Sequence, residues 1–357
     1  MLDRSRERVN RLRRLMESRG LEAMVVTKRE NRFYLSGFTG TDGVVLVTGD
    51  RTCLVTDRRY TEQALSECQG WEVVEAEADY LQVIGELTCG RGPVGFESRH
   101  ITYDQYLKLH GIIGDRLQAQ AGLVEELRKV KDDAEIASIR TAVARGDAAF
   151  DDLLKIIGPG WSERDIAWEM VKLLRQKGCS KEAFDVIAVS GRRASLPHGQ
   201  PSDKRLEPGE MLTLDFGGFY SGYAGDTTRT LAVGEIPARL KEVYFSVLDA
   251  QMAAIEAVRA GVFCREIDQA ARTCLKRHGL DSYFAHSTGH GLGLEVHEAP
   301  GVGSKSDEVL VENMVITVEP GVYIPGWGGV RIEDVVVVRE NGCEVLTKAE
   351  KDLLIIE

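Results

Sequence analysis

The chain has 357 residues, 43% of them hydrophobic and 28% charged, with a formal net charge of -11. That length suffices for two domains that each bury a core, and the acidic balance argues against a general nucleic-acid surface. The seven cysteines show no C-x-x-C pair and no zinc-finger spacing, no apolar run reaches the roughly 18 residues of a membrane span, and charged residues stand where a signal-peptide core would begin, so a reducing cytoplasmic setting is expected.

The chain opens with a helical pattern carrying seven arginines between Arg4 and Arg19. Asp3, Glu7 and Glu17 oppose them, and Val9, Leu12, Leu15 and Met16 supply an apolar face, so it reads as a solvated amphipathic helix rather than a membrane or nucleic-acid arm. Residues 22–27, 43–48 and 52–56 are short β-branched runs, the last two joined by a turn at Gly49-Asp50. Helical patterns follow at about 59–68, 79–89 and 103–110, which makes residues 1–125 an α/β domain. The glycine-rich segment 37–43 lacks the Lys and Ser/Thr ending of a phosphate loop and reads as a tight turn.

A long polar-rich helix is expected from near Val124, opening a second domain, 126–357, of long helices followed by antiparallel strands. That domain carries a faint repeat. Gly160 and Gly178 bracket one helical segment, and Gly261 and Gly279, 101 residues later, bracket another with the same separation of 18. Ser162 suits an N-cap, Ile166, Met170, Val171 and Leu174 form a buried stripe, and Gly178 suits a left-handed C-cap.

Five residues able to ligate a metal lie in or beside strand-like runs and glycine-rich turns: Asp215, Asp226, His290, Glu319 and Glu333. Asp215 and Asp226 flank the segment FGGFYSGYAG, and two strands joined by such a bend can turn both carboxylates to one face. LTL and TRTL beside them favour burial, and a buried carboxylate without a cation is costly. His290 sits in G-H-G-L-G, where small neighbours allow close backbone approach, and His286, His290 and His297 cluster within twelve residues. Glu319 precedes a strand-ending Pro-Gly, and Glu333 lies in VRIEDVVVV, which reads as one continuous buried strand. Arg331, two residues before Glu333, shares its strand face and can pair with a ligand carboxylate. Four carboxylates and one imidazole suit a pair of hard or borderline divalent ions, with manganese expected first and cobalt or zinc next. Two such ions would activate water and polarise a scissile carbonyl.

In their order, LDFG, GDTTRT, GHGLGLEVHE, VEPGVY and RIEDVV resemble the pita-bread metallopeptidases, within the branch of Xaa-Pro aminopeptidase and Xaa-Pro dipeptidase. NRFYLSGFTGTDG at 31–43 resembles that branch's N-terminal domain, and LRKVKDDAEIASIR at 127–140 its domain junction. The resemblance implies an α/β (α+β) chain: an N-terminal creatinase-like domain, then a pseudo-twofold pita-bread domain with helices outside a curved antiparallel sheet and metals on its inner face. It implies that Asp215, Asp226, His290, Glu319 and Glu333 hold the metals and that Glu319 also shuttles a proton between the attacking water and the leaving nitrogen. By the same resemblance His198, in LPHG, helps bind substrate and stabilise the intermediate, His286 and His297 line the pocket, and Phe184 and Tyr323 form its wall.

The implied substrates are peptides with proline at the second position. Such a bond has no amide N–H and a fixed ring, so peptidases that grip the extended backbone through that donor cannot process it. The motifs would serve a dipeptidase or an aminopeptidase, and the reading leans to the latter. A homodimer is implied, in which the N-terminal domain of one subunit approaches the active-site cleft of the other. The alternatives are a methionine aminopeptidase-type exopeptidase, which the long N-terminal domain and Arg331 disfavour, and a non-catalytic pita-bread binding protein, which the intact ligand set disfavours.

Overall fold

In the computed structural model, which describes residues 2–77 and 79–357, the N-terminal β-branched runs become strands β1 (Ala23–Val26), β2 (Val44–Thr48) and β3 (Thr52–Thr56). The chain divides into two units, Met1–Arg128 and Lys129–Glu357. In the first, β4 (Glu72–Glu75), β5 (Val94–Glu97) and β6 (Leu117–Gln120) complete a mixed six-stranded sheet of order β4-β3-β2-β1-β5-β6. Helices α1 (Leu2–Ser18), α2 (Arg29–Ser36), α3 (Thr61–Glu67), α4 (Tyr80–Leu87), α5 (Tyr103–Ile113) and α6 (Leu123–Arg128) accompany it. Val9, Leu12 and Met16 of α1 are buried. Several α1 arginines answer carbonyl groups of this unit: Arg8 donates to the Tyr34 oxygen, Arg11 to Leu127, and Arg13 to Thr48 and Arg51.

The single helix expected from near Val124 is in fact two. α6 ends at Arg128, and α7 (Asp133–Leu154) starts afresh. The cause is a capping box: the Asp132 carboxylate accepts the N–H groups of Ala134 and Glu135, while the Glu135 carboxylate accepts that of Asp132.

The second unit is built twice over. α7 and α8 (Glu163–Gln176) accompany a sheet of β7 (Ile187–Ser190), β8 (Glu210–Phe216) and β11 (Thr227–Val233), with β9 (Phe219–Tyr220) and β10 (Tyr223–Ala224) forming a small hairpin between β8 and β11. α9 (Ala238–Ala257) and α10 (Cys264–Arg277) accompany a second sheet, β13-β12-β14-β17-β18, where β12 is Gly289–Gly291, β13 Glu298–Val302, β14 Val315–Val318, β17 Asp334–Arg339 and β18 Gly342–Val345. β15 (Gly321–Ile324) and β16 (Gly328–Arg331) make a separate antiparallel pair, and β19 (Ile355–Ile356) joins β11 in parallel. α8 and α10 each have 14 residues and start 101 residues apart, and the four bracketing glycines all have left-handed φ, between 68° and 93°. Ser162 caps α8 by accepting the Asp165 N–H.

Two apolar layers separate the helices from the sheets. Leu212, Leu214 and Phe216 of β8 and Leu231 and Val233 of β11 pack with Phe150, Leu153, Ile166, Met170 and Leu174. Ile316, Val318, Val336 and Val338 pack with Val247, Ala250, Ile267, Ala271 and Leu275. Because strand side chains alternate, the same burial turns Thr213, Asp215, Thr228 and Thr317 to the opposite face. The seven cysteines are all free thiols. Among the described residues no helix is long and apolar enough to cross a membrane.

Where β11 meets the start of β17, Arg229 and Asp334 are 1% and 0% exposed. Every N–H of the Arg229 guanidinium is used: Nε donates to the Glu350 carbonyl, Nη1 to those of Thr228 and Glu333, and Nη2 to Asp334 Oδ1 (2.8 Å) and the Ala349 carbonyl. Gln251 Nε2 and Lys351 Nζ reach Asp334 Oδ2 at 2.8 and 2.7 Å. Burial alone would push the Asp334 carboxyl up, but Arg229 and Lys351 hold it below its ordinary value. Arg229→Met, which removes the donor to four backbone carbonyls and leaves Asp334 with Lys351 as its one remaining cation, is expected to cost about 3–5 kcal/mol in urea unfolding.

Candidate metal centre

The inner face of the two sheets collects the candidate ligands by strand periodicity. Asp215 lies on β8 opposite Thr228 of β11, and Asp226, two residues earlier, precedes the same strand on the same face. Glu319 follows β14, two residues beyond Thr317, and its N–H donates to the Thr288 carbonyl. His290 sits on β12 at a bulge. A Cβ on Gly289 would fall 2.0 Å from the Thr317 carbonyl oxygen, and one on Gly291 would fall 2.2 Å from that of Ala299. Glycine on both sides of His290 is therefore what lets β12 press against its neighbours.

Glu333 departs from the sequence reading. The VRIEDVVVV run is not one strand: β16 ends at Arg331 and β17 begins at Asp334. The two strands belong to different sheets, and Glu333 lies in the step between them, its N–H bonded to the Thr228 carbonyl.

Asp226, His290 and Glu333 offer ligand atoms that all lie within 4.8 Å of one another. His290 Nε2 is 3.7 Å from Asp226 Oδ2 and 3.2 Å from Glu319 Oε1, while its Nδ1 faces the Gly291 carbonyl at 3.1 Å. With Nδ1 turned to a carbonyl, Nε2 is the ring nitrogen aimed at the carboxylates: in the metal-free fold it donates to Glu319, and on losing that proton its lone pair would face a bound cation. Arg331 Nη2 donates to Asp215 Oδ2 at 2.6 Å, and Asp215 Oδ1 is buried without a hydrogen-bond partner.

The electrostatics are those of crowded anions. Burial, then the neighbouring carboxylates, push Asp226 and Glu333 well above their ordinary values. Burial also raises Asp215, against the pull of Arg331. Glu319 is held low in spite of burial because His290 donates to it, and the same carboxylate raises His290. An unpartnered buried carboxylate oxygen, three ligand atoms converging and carboxyls raised by one another together make a donor set that fits divalent cations.

Two threonines that sequence reading passed over complete the centre. Thr228 Oγ1 donates to Glu333 Oε2 at 2.8 Å and accepts from Arg331 Nε at 3.1 Å. Thr317 Oγ1 donates to Glu319 Oε1 and accepts the His290 N–H. The signal was present: each stands two residues from a candidate ligand, and so on its face.

The remaining candidates lie around this cluster. Arg331 Nη1 donates to the Tyr323 hydroxyl (2.8 Å) and to the Pro197 carbonyl (3.1 Å), and the Tyr323 hydroxyl meets His286 Nε2 at 2.9 Å. Burial takes the Tyr323 phenol up to about 12 and lowers His286. His297 stacks edge-on to His290, ring centroids 4.3 Å apart, and is lowered by burial and by His290. His198 is exposed, and its charge bears on both His286 and His297. Phe184 is half-buried, and a Cβ on Gly217, two residues from Asp215, would fall 3.2 Å from its ring.

Asp226→Ala and Glu333→Ala should each weaken divalent-metal binding by roughly a hundredfold or more, read by elemental analysis after dialysis. Chelation should lower Tm more at about pH 8 than at about pH 5. Below the ordinary values of 3.8 and 4.5 both states are protonated; as pH rises the unfolded carboxyls ionise first, and the metal-free fold loses stability.

Residues 137–340 match the model of metallopeptidase family M24, and residues 8–130 match the creatinase/prolidase N-terminal domain. The chain is 36% identical to the Xaa-Pro dipeptidase of Pyrococcus furiosus, over 98% of this chain and 100% of that protein. It superposes on the structure of an Xaa-Pro dipeptidase from Bacillus anthracis with a TM-score of 0.97 at 42% identity, covering 99% and 100% of the two chains. For an X-Pro aminopeptidase from Thermotoga maritima the TM-score is 0.90 at 36% identity, with 96% and 100% covered. A creatinase-like N-terminal domain, a two-sheet C-terminal domain and a carboxylate–histidine centre on its inner face are thus joined in one chain, and that chain belongs to metallopeptidase family M24.

Proposed function

We propose that this protein hydrolyses the bond between an N-terminal residue and a following proline, as a dinuclear metallo-exopeptidase. The convergence of Asp226, His290 and Glu333 within 4.8 Å, with Glu319 at 3.2 Å from the same imidazole, carries the reading. Its relatives named Xaa-Pro dipeptidase and X-Pro aminopeptidase support the substrate class. Asp215, Asp226, His290, Glu319 and Glu333 hold two divalent ions in this reading, manganese first by the hardness of the donors and cobalt or zinc next. When bound, such ions supply Lewis acidity and an activated water.

The chain's own groups do the rest. Glu319 accepts a proton from the attacking water and delivers it to the proline nitrogen, which cannot leave as an anion. Arg331, held by Tyr323 and Thr228, fixes the orientation of Asp215. His198 and His297, both exposed, present ring N–H groups to the peptide carbonyl oxygen as it gains charge. His286, Tyr323 and Phe184 form the wall against which the pyrrolidine ring rests. A homodimer and a cytoplasmic setting complete the proposal and rest on the family resemblance and the unpaired cysteines. Light scattering that returns a monomer would remove the dimer.

The test is a substrate panel with the manganese-loaded protein: Ala-Pro, Ala-Pro-Ala and Ala-Ala. Both proline substrates should be cut before proline, and the Ala-Ala control more slowly by roughly a hundredfold, because discrimination comes from the fit of the ring. Cleavage of Ala-Pro alone identifies a dipeptidase. Preferential release of methionine from Met-Ala peptides would overturn the proline reading.

A further inference from the structure

The carboxylate of Glu163 lies outside the metal centre, in the first turn of α8, and its side chain is fully buried. All of its side-chain hydrogen bonds go to the last residue of β7 and the loop that follows it. Oε1 accepts from the N–H and hydroxyl of Ser190 (2.8 and 3.1 Å), and Oε2 accepts from Arg193 Nε (2.9 Å) and from the N–H and hydroxyl of Ser202 (3.0 and 2.7 Å). The backbone adds to the grip, since the N–H groups of Glu163 and Arg164 donate to the carbonyls of Lys204 and Ser202. One side chain therefore closes a loop over residues 190–202, and His198 stands near its tip.

Five donors converge on this group. An ionised carboxylate accepts without donating and has about four lone-pair sites, whereas a Gln at the same place would turn an NH2 toward donors. Burying a charge in this way gives little stability over an apolar replacement. What it does give is a single loop geometry. The far side of the loop is held as well: Arg331 Nη1 donates to the Pro197 carbonyl, and Gly329 of β16 packs against the Ala194 carbonyl so closely that a Cβ would fall 2.2 Å from it.

We infer that Glu163 is a positioning residue that sets the place of His198 relative to His286 and His297, by pinning both ends of its loop. The inference rests on the proposed role of His198 in binding substrate. It is tested in the full-length, manganese-loaded protein with Glu163→Gln, His198→Ala and the double variant. Glu163→Gln should keep its metal content, raise amide hydrogen exchange across 198–202, and lower kcat/KM for Ala-Pro by roughly ten- to a hundredfold. In the His198→Ala background the same change should cost little more, because the residue it positions is gone. Should Glu163→Gln fail to fold, Ser202→Ala, which removes one hydroxyl donor and leaves the backbone bond, should show the same pattern on a smaller scale. Unchanged exchange at 198–202, or a loss that simply adds to that of His198→Ala, would overturn the inference. Full turnover by His198→Ala would instead overturn the role of His198, and with it the catalytic consequence drawn for Glu163; the exchange measurement separates that result from a failure of the clamp itself.

Discussion

Four carboxylates and one imidazole share a poorly hydrated space between two sheets, and most of the second unit can be understood as the means of holding them there. Like charges at such distances raise one another's proton affinity, as Asp226 and Glu333 show. Left alone they would protonate or part. Arg331 supplies a buried countercharge, but its side-chain hydrogen bonds go to Asp215, Tyr323, Thr228 and the Pro197 carbonyl, and its pull on Asp226 and Glu333 is outweighed by burial and the other carboxylates. Divalent cations complete the balance, which is why the same arrangement that strains the metal-free fold suits a metallopeptidase.

Rigid placement comes from the alternation of strand side chains and from closure behind the sheets. On β8 and β14 the residues facing the helices are apolar, so those facing the other way are obliged to converge. Behind the centre, Arg229 ties the Thr228 and Glu333 carbonyls to Asp334 and to the segment around residues 349–350. The carboxylates on one face thus depend on a buried ion network on the other. A guanidinium serves this well because its donors lie in one rigid plane and none needs to stay solvated.

The reaction proposed for this centre needs a different kind of surface at its edge. His198 and His297 are exposed, whereas Tyr323 is almost fully buried. A proline ring requires an apolar wall and no partner for an N–H, and a developing oxyanion requires donors that can reach it. In the proposed reading, residues from five separate segments would meet these needs: the segment before β7, the loop after it, the turn before β12, the segment after that strand, and β15. The loop after β7 opens with a 3-10 turn at Gly191–Ser195, and the Glu163 carboxylate bonds to both its ends, at Ser190 and Ser202.

Much of this was legible in the chain itself. The β-branched runs marked β1 to β3, the glycine pairs marked α8 and α10 as repeated elements, and five short motifs in order pointed to the ligand set and the family. Those features are local: they depend on φ preferences, on burial of a carboxylate beside apolar neighbours, and on glycine where backbones touch. Tertiary structure decided the rest. The VRIEDVVVV run reads as one strand because periodicity and β-branching do not record which sheet a residue joins, yet the chain changes sheets at Ile332 and Glu333. Spacing from Asp226 and Glu319 put Thr228 and Thr317 on the ligand face, but only the fold brought their distant partners Arg331, Glu333 and His290 beside them. Nothing local marks Glu163 beyond its place in a first helical turn, since its donors are 27 to 39 residues away in sequence. Local sequence states what a residue prefers; only the folded chain brings together the distant groups that determine what it does.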